Sequence, residues 1–178
     1  MVKTMNLRTV KIVGVIFLFL LSFLWHFLYD FFHYDIVAFF FPVNESIWEH
    51  MKIIYSVLLV GSLFQWFLYR KYDIKVNNVL MEAMSKAVVG VVFYLLVFVP
   101  IYKIIGENMF FSIGLMLGTY ILMEVMGAKI LKSEEYNIRV LPVIIIVLGY
   151  VLFIMLTFYP PHSFLFFDSV KFGYGILK

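Results

Sequence analysis

Pro42-Val43-Asn44-Glu45-Ser46-Ile47-Trp48-Glu49-His50 is the densest polar stretch of the chain outside its basic connections, and it stands between two greasy segments. Ile12 to Tyr29 precedes it and Met51 to Tyr69 follows it, both almost wholly apolar. About 20 apolar residues cross the hydrocarbon core of a bilayer as a helix. The stretch therefore reads as the connection between two transmembrane helices and the first turn of the second. Three more segments pass the same test further along the chain. The first of them, Ala87 to Tyr102, is short, and Lys86 is expected to snorkel to the headgroups and extend it. The predicted fold is all-α, a single transmembrane domain over 1–178. Its five-helix bundle has spans at about 12–29, 51–69, 86–102, 109–126 and 140–159, followed by an extracytoplasmic tail over 160–178.

Composition points the same way. Of 178 residues, 64% are hydrophobic and 14% charged, with a mean hydropathy of +1.00. A soluble domain would be close to half apolar and about a quarter charged. The net charge of +3 needs no nucleic acid to explain it, and the partner expected from composition is the lipid bilayer. The chain has no cysteine, which excludes disulfides, iron–sulfur clusters and thiol catalysis. The basic N-terminus resembles a signal peptide, but its apolar run passes Leu20 without a small-x-small cleavage site. An uncleaved first helix is expected. No GxSxG or HExxH motif, phosphate loop or internal repeat is present.

Lys and Arg set the expected orientation. Lys3, Arg8, Lys11, Arg70, Lys71, Lys75, Lys86, Lys129, Lys132 and Arg139 fall at one end of the predicted spans. Lys52, Lys103, Lys171 and Lys178 fall at the other. Ten against four places the N-terminus in the cytoplasm and the C-terminus outside. All four histidines then lie on or near the outer face, with Asp30, Asp35, Glu45, Glu49, Glu107 and Asp168.

Spacing selects candidates among these. His26, Asp30 and His33 are four and three apart, one stripe of a helix, and Glu45 and Glu49 are four apart with His50 beside them. His33 and Asp35 belong to an aromatic loop expected to rest in the headgroups. The Tyr159-Pro160-Pro161-His162 stop should fold the apolar tail back and bring His162 and Asp168 toward the cluster. Imidazoles and carboxylates so placed suit zinc or another divalent metal, with His26, Asp30, His50 and His162 as candidate ligands. Glu45 and Glu49 are the candidate proton-transfer groups. A structural account competes. Ser46-Ile47-Trp48-Glu49 fits a capping box; alternatively Asn44 is the N-cap, with Val43 and Trp48 as a hydrophobic staple. Either cap leaves Glu45 and His50 unexplained. Elsewhere, Glu82 and Lys86 read as a surface pair, and Glu124 pairs with Lys129 or Lys86. Gly114 and Gly118 form a GxxxG step for close helix approach, inside the bundle, in a homo-oligomer or with a partner subunit.

With His26-Phe27-Leu28-Tyr29-Asp30, the Pro42–His50 stretch and the Tyr-Pro-Pro tail in hand, the chain resembles a family of small bacterial, mostly Gram-positive, integral membrane proteins. That resemblance implies a bacterial cytoplasmic membrane and carries no established activity. A looser similarity of ingredients links His26, Asp30, Ser46, His50 and His162 to the alkaline-ceramidase and adiponectin-receptor-like membrane hydrolases. Those have seven helices and an HxxxH pair that this chain lacks.

Two functions follow as expectations. One is a membrane-embedded metal-dependent hydrolase of a lipid-like substrate. The other is a non-enzymatic component that binds or transports a ligand or cation. Bis-histidine haem fits poorly, because only His26 lies well inside a predicted span.

Overall fold

The structure, a computed structural model, describes residues 5–106 and 108–176; Lys3, Glu107 and Lys178 lie outside them. Six helices run in order: α1 (Leu7–Phe31), α2 (Asp35–Ala38), α3 (Ile47–Lys71), α4 (Val79–Ile105), α5 (Met109–Lys132) and α6 (Val140–Phe158). All but α2 are long and apolar enough to cross a membrane. The chain is a multi-pass, all-helical membrane protein, apart from a small antiparallel hairpin in the tail. In that hairpin β1 (Phe167–Asp168) pairs with β2 (Gly173–Tyr174).

Local chemistry fixes the helix ends. Asn6, Ser46 and Asn108 accept the backbone N–H three residues on, each satisfying one orphan donor of a first turn. The last turns of α3 and α5 carry Arg70 and Lys71, and Lys129 and Lys132, which complement the negative end of the helix dipole. The fourth helix departs from expectation, since it starts at Val79 rather than near Lys86. Asn78 secures that earlier start. Its amide bonds the Ile130 carbonyl, the Ser133 hydroxyl and the Glu134 carbonyl, and its Oδ1 accepts from Tyr136 N.

Packing makes α3 the central element. Its most apolar window is 67% buried, against 17–22% for the other four spans. α1 and α4 lie against it, α5 closes between α1 and α4, and α6 rests on α4. A side chain on Gly61 would collide with Leu18, so glycine there sets the α1–α3 approach. Gly114 and Gly118 have nothing within 4 Å of an added Cβ; the GxxxG step is not used inside the bundle.

The bundle interior is ionic near the end that carries the 72–78 connection. Lys11 Nζ lies 2.7 Å from Glu82 and 2.9 Å from Glu124; Lys86 Nζ lies 2.8 and 2.9 Å from the same two carboxylates. Gln65 Oε1 accepts from Lys11 at 2.8 Å and from the Tyr69 hydroxyl at 3.2 Å. All four charged side chains are at most 8% exposed, and their charges sum to zero. The surface pair expected of Glu82 and Lys86 is thus an interior one. Lys86 does not snorkel, because helix α4 continues past it and its ammonium is held between two carboxylates from different helices. Glu124 chooses Lys86, and Lys11 with it.

Candidate metal centre

At the opposite end, the 32–46 connection and the tail meet over the start of α3. Ser46 is the N-cap, its hydroxyl accepting from Glu49 N at 3.3 Å. Asn44 serves the cap from outside: its Oδ1 accepts from Ser46 N and its amide donates to the Gly175 carbonyl. Glu49 does not close the capping box. Its carboxylate instead accepts from Val43 N at 3.2 Å, Lys52 at 2.7 Å and the Thr157 hydroxyl at 2.6 Å, at 2% exposure. Lys52 also donates to the Ala38 carbonyl, so one buried ion pair ties α3 to the first connection and to α6.

The tail completes this end. Trp48 N donates to the Leu165 carbonyl, giving an orphan amide of the first turn its acceptor. Trp48 itself packs between Phe153 and Phe166. Asp168 is fully buried. Its Oδ2 accepts from Glu45 N at 3.3 Å, while Oδ1 accepts from Val170 N and Lys171 N. The first connection and the last segment are thereby stitched together around Glu45.

Three residues converge there: His26 from α1, Glu45 from the connection and His50 from α3. One ligand atom from each lies within 4.8 Å of the others. Glu45 Oε2 stands 3.4 Å from His26 Nε2 and 3.5 Å from His50 Nε2, with the two rings 5.3 Å apart. These gaps exceed the 2.7–2.9 Å of the Lys–Glu pairs elsewhere in the chain. They match the edge of a tetrahedron with metal–ligand bonds of about 2.1 Å, which is roughly 3.4 Å. Two imidazoles and one carboxylate with a fourth position left over is the donor set of a catalytic zinc site. The His50 tautomer suits it as well. Nδ1 stands 2.9 Å from the Ser46 carbonyl, to which it donates, leaving the Nε2 lone pair facing Glu45. The hydrogen bond from His26 holds the Glu45 carboxyl below the usual carboxylate range, against the opposing effect of partial burial.

The other candidates take different places. Asp30 is exposed and lines a small cleft with His26, Glu45 and Lys171, beside the cluster rather than in it. His162 is exposed and stacks on Tyr174, 4.5 Å between centroids. His33 packs edge-on against Tyr29.

Beneath the cluster lies a cavity of about 390 Å³, within the range of small-molecule sites. His26, Glu45 and His50 are its polar end. Its walls come from Phe23 and Phe27, Met51 and Ile54, Tyr94 and Phe98, and Ile113 and Met116. Phe164 and Phe167 of the tail also line it. Sequence reasoning found the polar end but not the cavity, which four helices build jointly. It also missed Lys52, Thr157 and Gln65. The signal for Gln65 was a polar residue inside an apolar span, where such groups are costly without partners.

No curated protein and no solved structure matches the chain. A family model matches residues 1–176, described as "Family of unknown function (DUF6512)", and the chain belongs to that family.

Proposed function

We propose that this DUF6512 chain is a divalent-metal-dependent hydrolase embedded in the membrane, acting on a lipid-like substrate at the outer face of a bacterial cytoplasmic membrane. The observation that carries the reading is the 3.4 and 3.5 Å spacing of Glu45 from two imidazole Nε2 atoms, at the head of an apolar cavity. A zinc ion held there supplies Lewis acidity toward an ester or amide carbonyl and acidifies water. His26 and His50 are the nitrogen ligands, and Ser46 orients the second. Glu45 turns Oε2 toward both imidazoles and keeps Oε1 for hydrogen bonding and proton transfer. Glu49 is a positioning residue, since Lys52, Thr157 and Val43 N engage its carboxylate one position before His50. The outer placement rests on the Lys and Arg bias. Setting aside the buried Lys11, Lys86 and Lys52 leaves eight basic residues against three, with the same sense. The outward Gly114–Gly118 step is the surface proposed for a second copy or a partner subunit.

One observation favours a second reading, a ligand-binding component without turnover: Glu49, the other candidate proton-transfer group, is wholly engaged. Metal analysis decides the primary claim. Detergent-purified protein supplied with zinc should hold about one ion per chain, lost in His50→Ala and Glu45→Ala with the melting profile retained. A folded wild type that retains no zinc would overturn it. Zinc with amphiphile binding but no ester or amide cleavage would assign the second reading.

A further inference from the structure

The tail roofs only part of the cavity on the water side, where the side chains of His26, Glu45 and His50 are 27%, 34% and 36% exposed, and the wall toward lipid is thin. On the water side, Phe164 and Phe167 line it, and the segment carrying them is pinned by Trp48 N to Leu165 O, Glu45 N to Asp168 and Asn44 to Gly175. On the side between α1 and α5 the wall is a single layer. Phe23, Phe27 and Met109, on two spanning helices, line the cavity and are also 39%, 51% and 65% exposed. Polar ties between α1 and α5 lie deeper in the bundle: Lys11–Glu124, and the Ser22–Tyr120 hydroxyl pair at 2.6 Å. Beyond Ser22, toward His26, no hydrogen bond or ion pair joins these two helices among the described residues.

We propose that the α1–α5 seam between Ser22 and Phe27 is a lateral portal, through which a single-chain amphiphile enters from the bilayer. Its chain lies in the cavity and its polar head stops at His26, Glu45 and His50. The inference deepens the hydrolase reading and rests on it for the chemistry at the head. Volume sets the chain number. Taking the ~30 Å³ share of one water as a methylene-sized unit, about 390 Å³ holds on the order of a dozen such groups, enough for one acyl chain. Helix rise sets the depth. From Tyr102 to Tyr94, both lining residues of α4, is about 12 Å along the axis. Ser22, locked to Tyr120 beside it, forms part of the floor. Met51, Met109 and Met116 give the walls unbranched, adaptable side chains that fit chains of varied shape.

The chain lacks cysteine, so a single Ile113→Cys carries one label at the seam. The variant is reconstituted in phosphatidylglycerol vesicles, its thiol is joined to a bulky thiol as a mixed disulfide, and loading of a fluorescent single-chain acyl ester is followed. The probe is presented either already in the bilayer or from water. Loading from the bilayer should fall about tenfold with the adduct, as for a plugged gate, and recover when reductant removes it. Phe23→Cys, treated alike, should repeat the result, and zinc content should not change. Loading at the unmodified rate with both adducts in place, or loading only from water, overturns the portal. Seam-controlled loading without bound zinc keeps the portal and overturns the hydrolase. Zinc-dependent cleavage indifferent to both adducts does the reverse.

Discussion

Removing Lys86 from the interior ionic group tests whether charge balance or mere contact holds the helices at that end. Lys86 Nζ is fully buried and bridges Glu82 of α4 and Glu124 of α5 at 2.8 and 2.9 Å. In Lys86→Met the stem packing is largely kept, but two buried carboxylates share the one ammonium of Lys11. Breaking a buried pair from one side costs about 3–5 kcal/mol, because a charge is left uncompensated out of water. At ~2–4 °C per kcal/mol for a chain of this size, the melting midpoint should drop by roughly 6–20 °C. The second substitution gives the sharper test. In Lys86→Met/Glu124→Gln the remaining Lys11–Glu82 pair is neutral, so the double variant should melt above the single one. Thermal unfolding in detergent, followed by near-ultraviolet circular dichroism, reads both. A single-variant shift under ~2 °C, or a double variant that melts at or below Lys86→Met alone, refutes the charge-balance argument.

Glu45 supplies a prediction with a defined sign. Its folded-state pKa lies below the ordinary 4.5, so it contributes stability that is present above that value and lost as pH falls through the depressed one. In chelator-treated protein, Glu45→Gln should therefore flatten the fall of melting temperature with pH below 4.5; identical acid limbs would contradict this. Asp168→Ala removes the acceptor of Glu45 N and of the turn that follows it. Zinc affinity should weaken about 10–100-fold, as for loss of an outer supporting partner, with far-ultraviolet helix content unchanged. Unaltered affinity would show that the tail does not hold Glu45 in place.

The five spans were legible because twenty apolar residues leave few alternatives. Ser46 and Asn44 were both legible as cap candidates, but the glutamate that suggested a capping box turns its carboxylate to Val43 N, Lys52 and Thr157 instead. Helix α4 was read short because Lys86 looked like a boundary. A charge terminates a span only when it faces water or headgroups, and Lys86 faces Glu82 and Glu124. The same blindness hid Lys11, whose partners come from helices distant in sequence, and the long-range ties of Lys52 to Thr157 and of Gln65 to Lys11. Of the candidate site, His26, Glu45 and His50 were proposed from spacing within α1 and around the start of α3. Which atoms face one another depended on a connection whose path sequence does not encode locally. Asp30 shares a stripe with His26 but points to the small cleft beside Lys171. His162 was placed by an expected reversal of the chain. The reversal occurs, and the imidazole settles on Tyr174 instead.

The stitches from Leu165, Asp168 and Gly175 to Trp48, Glu45 and Asn44 have a consequence for biogenesis. A nascent chain threads its helices into the bilayer in order, and residues 42–50 emerge more than a hundred residues ahead of the partners that hold them. Until the final segment is made, the start of α3 lacks the acceptor for Trp48 N and Glu45 lacks its anchor. The protein is thus inserted long before its cluster can set, and a ribosome that stalls inside α6 leaves a lodged but unfinished molecule.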